Sequence, residues 1–185
     1  MSIIKETEQI SPARKSIFAL APILEYPEAD FEKRLQTAIS SSLAVSPACA
    51  APLLSFKEKI ASLRSSDLEE LYTRTFDLAP ICIPYLSSHI YGDENFERGA
   101  LMSRLSERYE ECAFDTHGEL PDHLALILRF APQFEPDEFN ELVEFCLRSA
   151  LEKMLESLKD ADNPYYLVLN SASELIESER EGLIL

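Results

Sequence analysis

Glycine and histidine are scarce in this 185-residue chain, at 4 and 3, and tryptophan is absent. There is no glycine-rich run of the kind that cradles a phosphate and no GxSxG elbow to expose a nucleophilic serine. The four cysteines stand at 49, 82, 112 and 146 with no CxxC pair, which excludes a zinc ribbon and a redox dithiol. Basic residues are few as well: 17 Lys and Arg against 33 Asp and Glu leave a formal net charge of −16 at pH 7. Phosphate binding needs a cationic surface that releases counterions, so nucleic acid is excluded as a partner. The uncharged run over 35–56 is too rich in Ser, Ala and Pro to cross a membrane, and residues 1–16 lack the apolar stretch of a signal peptide. Together these absences predict a cytoplasmic protein with reduced thiols, no cofactor and no membrane insertion, in which Cys112 and Cys146 are core residues.

What is present is an ordinary globular composition, 46% hydrophobic and 27% charged, in a length that suits one domain. The 11 prolines sit where helices begin or end, which is the punctuation of an all-α fold. Ser11 and Pro12 open a helix through Ile17, Phe18 and Leu20 that weakens near Pro22. A second helix follows Asp30, and Ser46 with Pro47 opens a third carrying Leu53, Leu54, Ile60 and Leu63. Ser66 and Glu69 have the spacing of a capping box for a fourth helix with Leu68, Leu71, Tyr72 and Phe76. Pro80 and Pro84 impose a loop before a short helix. Residues 93–113 read as a helix with Leu101, Leu105, Tyr109 and Cys112 on one face, and 121–130 as a helix buried all round. From Phe139 to Leu158 the apolar residues follow i, i+3, i+4, i+7, opposite Glu138, Glu141, Glu144, Glu152 and Glu156. Asn163 and Pro164 cap a final helix with Tyr166, Leu167, Leu169, Leu175 and Ile176. The expectation is a single-domain helical bundle of about eight helices over 1–185, with 1–10 flexible and 178–185 an acidic tail.

The acidity is uneven. Through residue 92 the chain carries 9 Lys and Arg against 11 Asp and Glu, and beyond it 8 against 22. The second half is therefore either a solvated face that keeps the protein soluble or a surface that attracts a basic partner. Glu174, Glu177, Glu179 and Glu181 are assigned to solubility alone.

Chemistry-bearing residues concentrate in ELPDHLALILRF, residues 119–130. The adjacent Asp122 and His123 are similar to a pair used by metal-dependent phosphohydrolases, but His89 and His117 lie in unrelated contexts and do not complete a metal shell. Two readings remain. In one, Pro121 presets a first helical turn, Asp122 favours the helix dipole and His123 bonds locally. In the other, Glu119, Asp122 and His123 cluster at the mouth of a groove and offer acceptors to an Arg or Lys of a bound peptide.

Three segments, LYTRTFDLAPICIPYLSSHIYG (71–92), RGALMSRLSERYEECAF (98–114) and ELPDHLALILRF, resemble in order and spacing the TorD/DmsD/NarJ family of molybdoenzyme assembly chaperones. LEYP at 24–27 suits that family's first helical hairpin, and the resemblance spans about 17–158. It implies a TorD-like all-helical chaperone, not an enzyme, that binds the N-terminal or leader peptide of a molybdenum oxidoreductase catalytic subunit. Such a chaperone holds its client until the cofactor is inserted and, for exported clients, delays the twin-arginine pathway; molybdenum-cofactor biosynthesis proteins are further implied partners. The family's Pro-Asp-His element falls on Pro121, Asp122 and His123, and its aromatic and proline motif on Tyr72, Phe76, Pro84 and Tyr85. Relatives that bind twin-arginine leaders often have Pro-Trp where this chain has Pro84 and Tyr85. FDL at 76–78, His89 with Tyr91 and Gly92, and Arg98 with Gly99 look closer to the nitrate reductase branch.

The expected mechanism is capture without catalysis. Apolar client side chains would lie in a groove lined by Tyr72, Phe76, Tyr85 and the start of the 121–130 helix, with client cations meeting Glu119, Asp122 and the acidic half. A general helical adaptor without a molybdoenzyme client shares the composition, and the chain is expected to be a monomer or a domain-swapped dimer.

Overall fold

The structure is a computed structural model that describes residues 10–91 and 96–184, without the side chains of 181, 183 and 184. The beginning of the expected flexible segment, the predicted helix start at Asp93 and the side chain of Glu181 lie outside what is described. Among the described residues the regular structure is helical, and the sole β feature is one isolated bridge.

Local chemistry sets most helix starts. Ser11 accepts the Arg14 N–H at 3.0 Å and Pro12 occupies the first turn of α1 (Pro12–Leu20). At Pro22 the chain tightens into a 3₁₀ turn, Ala21–Ile23. α2 (Phe31–Val45) follows Asp30, whose carboxylate holds Arg34 one turn on at 2.8 Å instead of capping the backbone. Ser46 accepts the Cys49 N–H at the head of α3 (Pro47–Ile60). Leu53 and Ile60 of that helix are buried, whereas Leu54 stays exposed and Leu63 falls beyond the helix end.

The predicted Ser66–Glu69 box is displaced. α4 (Ser65–Tyr72) begins after Arg64, whose backbone N–H and guanidinium both donate to Asp67, so the reciprocal contact sits two residues earlier. A π turn, Thr73–Asp77, then widens the helix and carries Phe76 inward. Its freed carbonyls are taken by the following loop: Cys82 N–H donates to Thr75 O at 2.9 Å. As expected, a loop leads to a short helix, α5 (Leu86–Ile90).

α6 (Phe96–Glu111) buries Leu105 and Tyr109, with Leu101 and Cys112 partly covered. The buried helix is present as α7 (Leu124–Phe130), but it starts three residues later than predicted because His123, not the residue before Pro121, is the N-cap. α8 (Pro136–Leu142), a π turn (Val143–Leu147) and α9 (Arg148–Leu158) form one continuous rod, the long amphipathic helix of the sequence pattern. α10 (Tyr165–Ile184) opens where Asn163 Oδ1 accepts the Tyr165 N–H at 2.9 Å. Tyr165 is fully buried, one position before the expected Tyr166.

The 178–184 stretch is therefore helix and not an acidic tail. Glu179, assigned above to solubility, is 4% exposed. Its Oε1 accepts from Arg14 Nε at 2.9 Å and its Oε2 from the Ser11 hydroxyl. Arg14 Nη1 also donates to the Ala131 and Phe134 carbonyls at 2.9 and 2.8 Å, and its guanidinium stacks 4.2 Å from the Phe139 ring centroid. Burying both charges is tolerable only because nearly every polar atom has a partner.

α1 packs on α2, α7 and α10, and α3 on α2 and α10. One buried cluster runs from Ile17 to Ile176. α5 lies against α9, which sets the 80–91 loop beside the start of α7. No helix among the described residues is long and apolar enough to cross a membrane.

Candidate functional site

The two motif-bearing segments meet backbone to backbone. Leu86 N–H donates to Asp122 O at 3.0 Å and Leu124 N–H to Pro84 O at 2.8 Å, so Tyr85 and His123 face each other in an antiparallel bridge. Their rings meet edge to face at 5.3 Å. The Tyr85 hydroxyl donates to Glu119 Oε1 at 3.1 Å, and Tyr109 anchors the turn from behind by donating to Pro121 O at 2.9 Å. Burial first, then the neighbouring Glu119 charge, pushes the Tyr85 phenol up to about 12, so it remains a hydrogen-bond donor.

His123 caps α7 by accepting the Ala125 N–H on Nδ1 at 3.2 Å, which places the proton of the neutral ring on Nε2. Burial lowers its pKa below 6.5, against the opposing pull of Glu119 and Asp122. The local-bonding reading of His123 is thus realised, and its ring still lines a cleft.

Asp122 is placed differently from the expectation of a client-facing acceptor. It is fully buried, and its Oδ2 accepts both the backbone N–H of Ser87, at 3.0 Å, and the Ser87 hydroxyl. The Ser87 oxygen in turn accepts from Arg98 Nε at 3.0 Å. Asp122 therefore satisfies the first turn of α5 from across the bridge and fixes the Tyr85 loop. Direct contact with a client cation is closed to it by burial.

A cleft of about 320 Å³ opens beside the bridge. Of the predicted residues, Tyr72, Glu119 and His123 line it. Phe76 does not: it is buried 5.4 Å from Tyr72 and 5.0 Å from Tyr165, as part of the aromatic core beneath. Pro84 is buried under the bridge, and Pro121 shapes the turn. His89 bonds the Ile83 carbonyl through Nε2 at 2.7 Å and lies outside the cleft.

Lining residues that escaped the sequence reading as site residues include Glu25, Tyr26, Thr116, His117 and Arg129. Glu25 and Tyr26 belong to LEYP, which drew attention only for its place in the first hairpin. Arg129 Nη1 pairs with Glu25 at 3.2 Å and Nη2 donates to Asp115 O at 3.1 Å, closing the cleft between segments more than 100 residues apart. The rim thus offers carboxylates and phenols around an aromatic floor, a set suited to holding a cationic, partly apolar segment. Among the described residues no group of three His, Cys, Asp or Glu is placed to hold a metal ion.

Comparison with known proteins gives the family and the fold. The sequence is 34% identical over 109 residues to the protein named probable nitrate reductase molybdenum cofactor assembly chaperone NarJ in Bacillus subtilis, covering 58% of this chain and 54% of that one. It is 29% identical over 120 residues to the nitrate reductase molybdenum cofactor assembly chaperone NarJ of Escherichia coli K12, covering 63% of this chain and 50% of the relative. The chain spans about half the length of the curated relatives it matches. The fold is shared with a crystal structure described as a candidate redox enzyme maturation protein of Archaeoglobus fulgidus, with TM-score 0.58, 19% identity, and coverage of 90% of this chain and 93% of that one. The model of the nitrate reductase delta subunit family matches residues 43–169, which include the bridge, the Asp122–Ser87 contact and most of the cleft, and the chain belongs to that family.

Proposed function

We propose that this protein is a cytoplasmic assembly chaperone that binds the N-terminal segment of a molybdenum oxidoreductase catalytic subunit. It keeps the client competent for cofactor insertion and, where the client is exported, delays passage through the twin-arginine pathway. Molybdenum-cofactor biosynthesis proteins would meet it on the client. The observation that carries the reading is the antiparallel pairing of Pro84–Leu86 with Asp122–Leu124, which sets Tyr85 against Glu119 and His123, two residues that line one cleft, in a chain of this family. The names of the Bacillus and Escherichia relatives support the client class.

In this reading the chain performs no chemistry. Client side chains cover the Tyr72 and His123 faces, and a client Lys or Arg meets Glu119, whose carboxylate is oriented by Tyr85. Asp122 acts through Ser87 by keeping the Tyr85 loop in place. Isothermal titration with a synthetic peptide copying the start of a molybdoenzyme subunit encoded beside this gene tests it. Saturable binding with a dissociation constant of about tens of micromolar or tighter is expected, near 6–7 kcal/mol of binding free energy. Absence of heat and of competition at that concentration overturns it.

A further inference from the structure

We propose that the client-binding surface extends past the 320 Å³ cleft onto a second face built around Tyr26, which takes an amphipathic stretch of the same client segment. This inference rests on the peptide-binding reading above and names the part of the surface that would select among clients.

Tyr26 is an exposed aromatic held still. It is 49% exposed, its ring meets Tyr72 edge on at 5.6 Å, and its hydroxyl donates to Glu69 Oε2 at 3.2 Å. The residues around it in the chain, Leu24 and Pro27, are buried, so the ring projects from a fixed turn. A large, amphipathic side chain with little conformational freedom left to lose is the type that dominates binding energy when a partner covers it.

Three depressions share this ring as a wall. One is the cleft already described; a second, of about 410 Å³, leads to Leu78; the third, of about 1,100 Å³, leads to Leu63 and Leu68. Leu78 is 73% exposed and Leu63 is 38% exposed, so apolar surface continues on either side of Tyr26. A single side chain would fill one depression, whereas a segment crossing the ridge fills several.

Charge then specifies the occupant. Arg34, Lys57, Arg64 and Arg129 around these depressions are each paired with a carboxylate, at 2.7–3.2 Å. Glu69 and Glu119 are held by tyrosine hydroxyls instead, from Tyr26 and Tyr85, and so keep their full negative charge for a visitor. Arg74 lines the Leu78 depression together with Glu69 and Glu70, where the carboxylates outnumber it, and it does not line the large groove, which Glu69 also walls. The fitting partner is a peptide with apolar residues on both sides of the ridge and a Lys or Arg between them, directed at Glu69.

The test uses the full chain and the same synthetic client peptide, together with a version whose basic residues are glutamine. Tyr26→Ala is expected to weaken binding about tenfold or more, as loss of an aromatic anchor does. Tyr26→Phe and Glu69→Gln are each expected to weaken it about two- to fivefold, and to leave the glutamine peptide unaffected. Wild-type affinity in Tyr26→Ala, with binding still weakened in Glu119→Gln, overturns this proposal and keeps the client-binding one. A peptide that fails to bind the unaltered chain overturns both. If the face pairs with a second copy, Tyr26→Ala lowers the sedimenting mass of the free protein without changing peptide affinity, which also overturns it.

Discussion

Two carboxylates, Glu179 and Asp122, are buried at different junctions of this bundle, and they are partnered in different ways. Glu179 meets a cation directly, Arg14 at 2.9 Å, in a contact that joins the first helix to the last. Asp122 meets a serine, whose hydroxyl oxygen in turn accepts from Arg98. The first junction is an ion pair whose loss leaves a bare charge in the core. The second is a hydrogen-bonded clasp between two short segments, and it holds the loop whose Tyr85 borders the exposed Glu119. Charge-on-charge burial here serves the frame, and the milder polar clasp serves the site.

Breaking each junction separately would expose that division. Arg14→Ala removes the partner of Glu179 and the donor to the Ala131 and Phe134 carbonyls, and should cost about 3–5 kcal/mol of unfolding free energy in urea titration. Peptide affinity, measured where the variant is still folded, should be unchanged. Asp122→Ala leaves Ser87 without its acceptor and should cost about 1–3 kcal/mol. Unlike Arg14→Ala it should also weaken the peptide, whereas Asp122→Asn, which keeps an acceptor oxygen, should recover most of both. Equal effects of the Arg14 and Asp122 variants on affinity would erase the distinction.

Smaller changes sharpen the site end alone. Glu119→Gln should leave stability within about 0.5 kcal/mol and slow association of a basic peptide, with the difference from wild type shrinking as salt is added; stopped-flow fluorescence reads it. The pH effect is the smallest. Burial holds His123 below its ordinary 6.5, so below that pH the unfolded chain takes up a proton that the folded chain resists. Stability should therefore fall as the pH drops from 6.5 toward the lowered folded-state value. His123→Gln should flatten that part of the stability profile.

Much of this was legible in the chain. Ser11, Ser46 and Asn163 announce helix starts because a capping side chain acts on a backbone N–H within a few residues, and the Phe139–Leu158 pattern announces a rod because its period is local. The cap of α4 was misplaced because Asp67 competes with Glu69 for the same role and the sequence does not rank them. Phe76 passed for a groove residue because a π turn, invisible in the spacing, rotates it toward Tyr165.

By itself the sequence determined the helical class, the order of the helices, the acidic surplus and the two motifs of interest, Pro-Tyr and Pro-Asp-His, since all of these are written in neighbouring residues; their pairing is a tertiary contact. Only the tertiary structure decided which acids face solvent. Glu179 and Glu119 are identical side chains in acidic company, yet one is enclosed by Ser11 and Arg14, 165 and more residues away, and the other stands at a rim. Burial is set by what distant helices bring alongside, and so the roles of Asp122, Tyr26 and Glu25 emerge only once α1, α7 and the 80–91 loop are packed together.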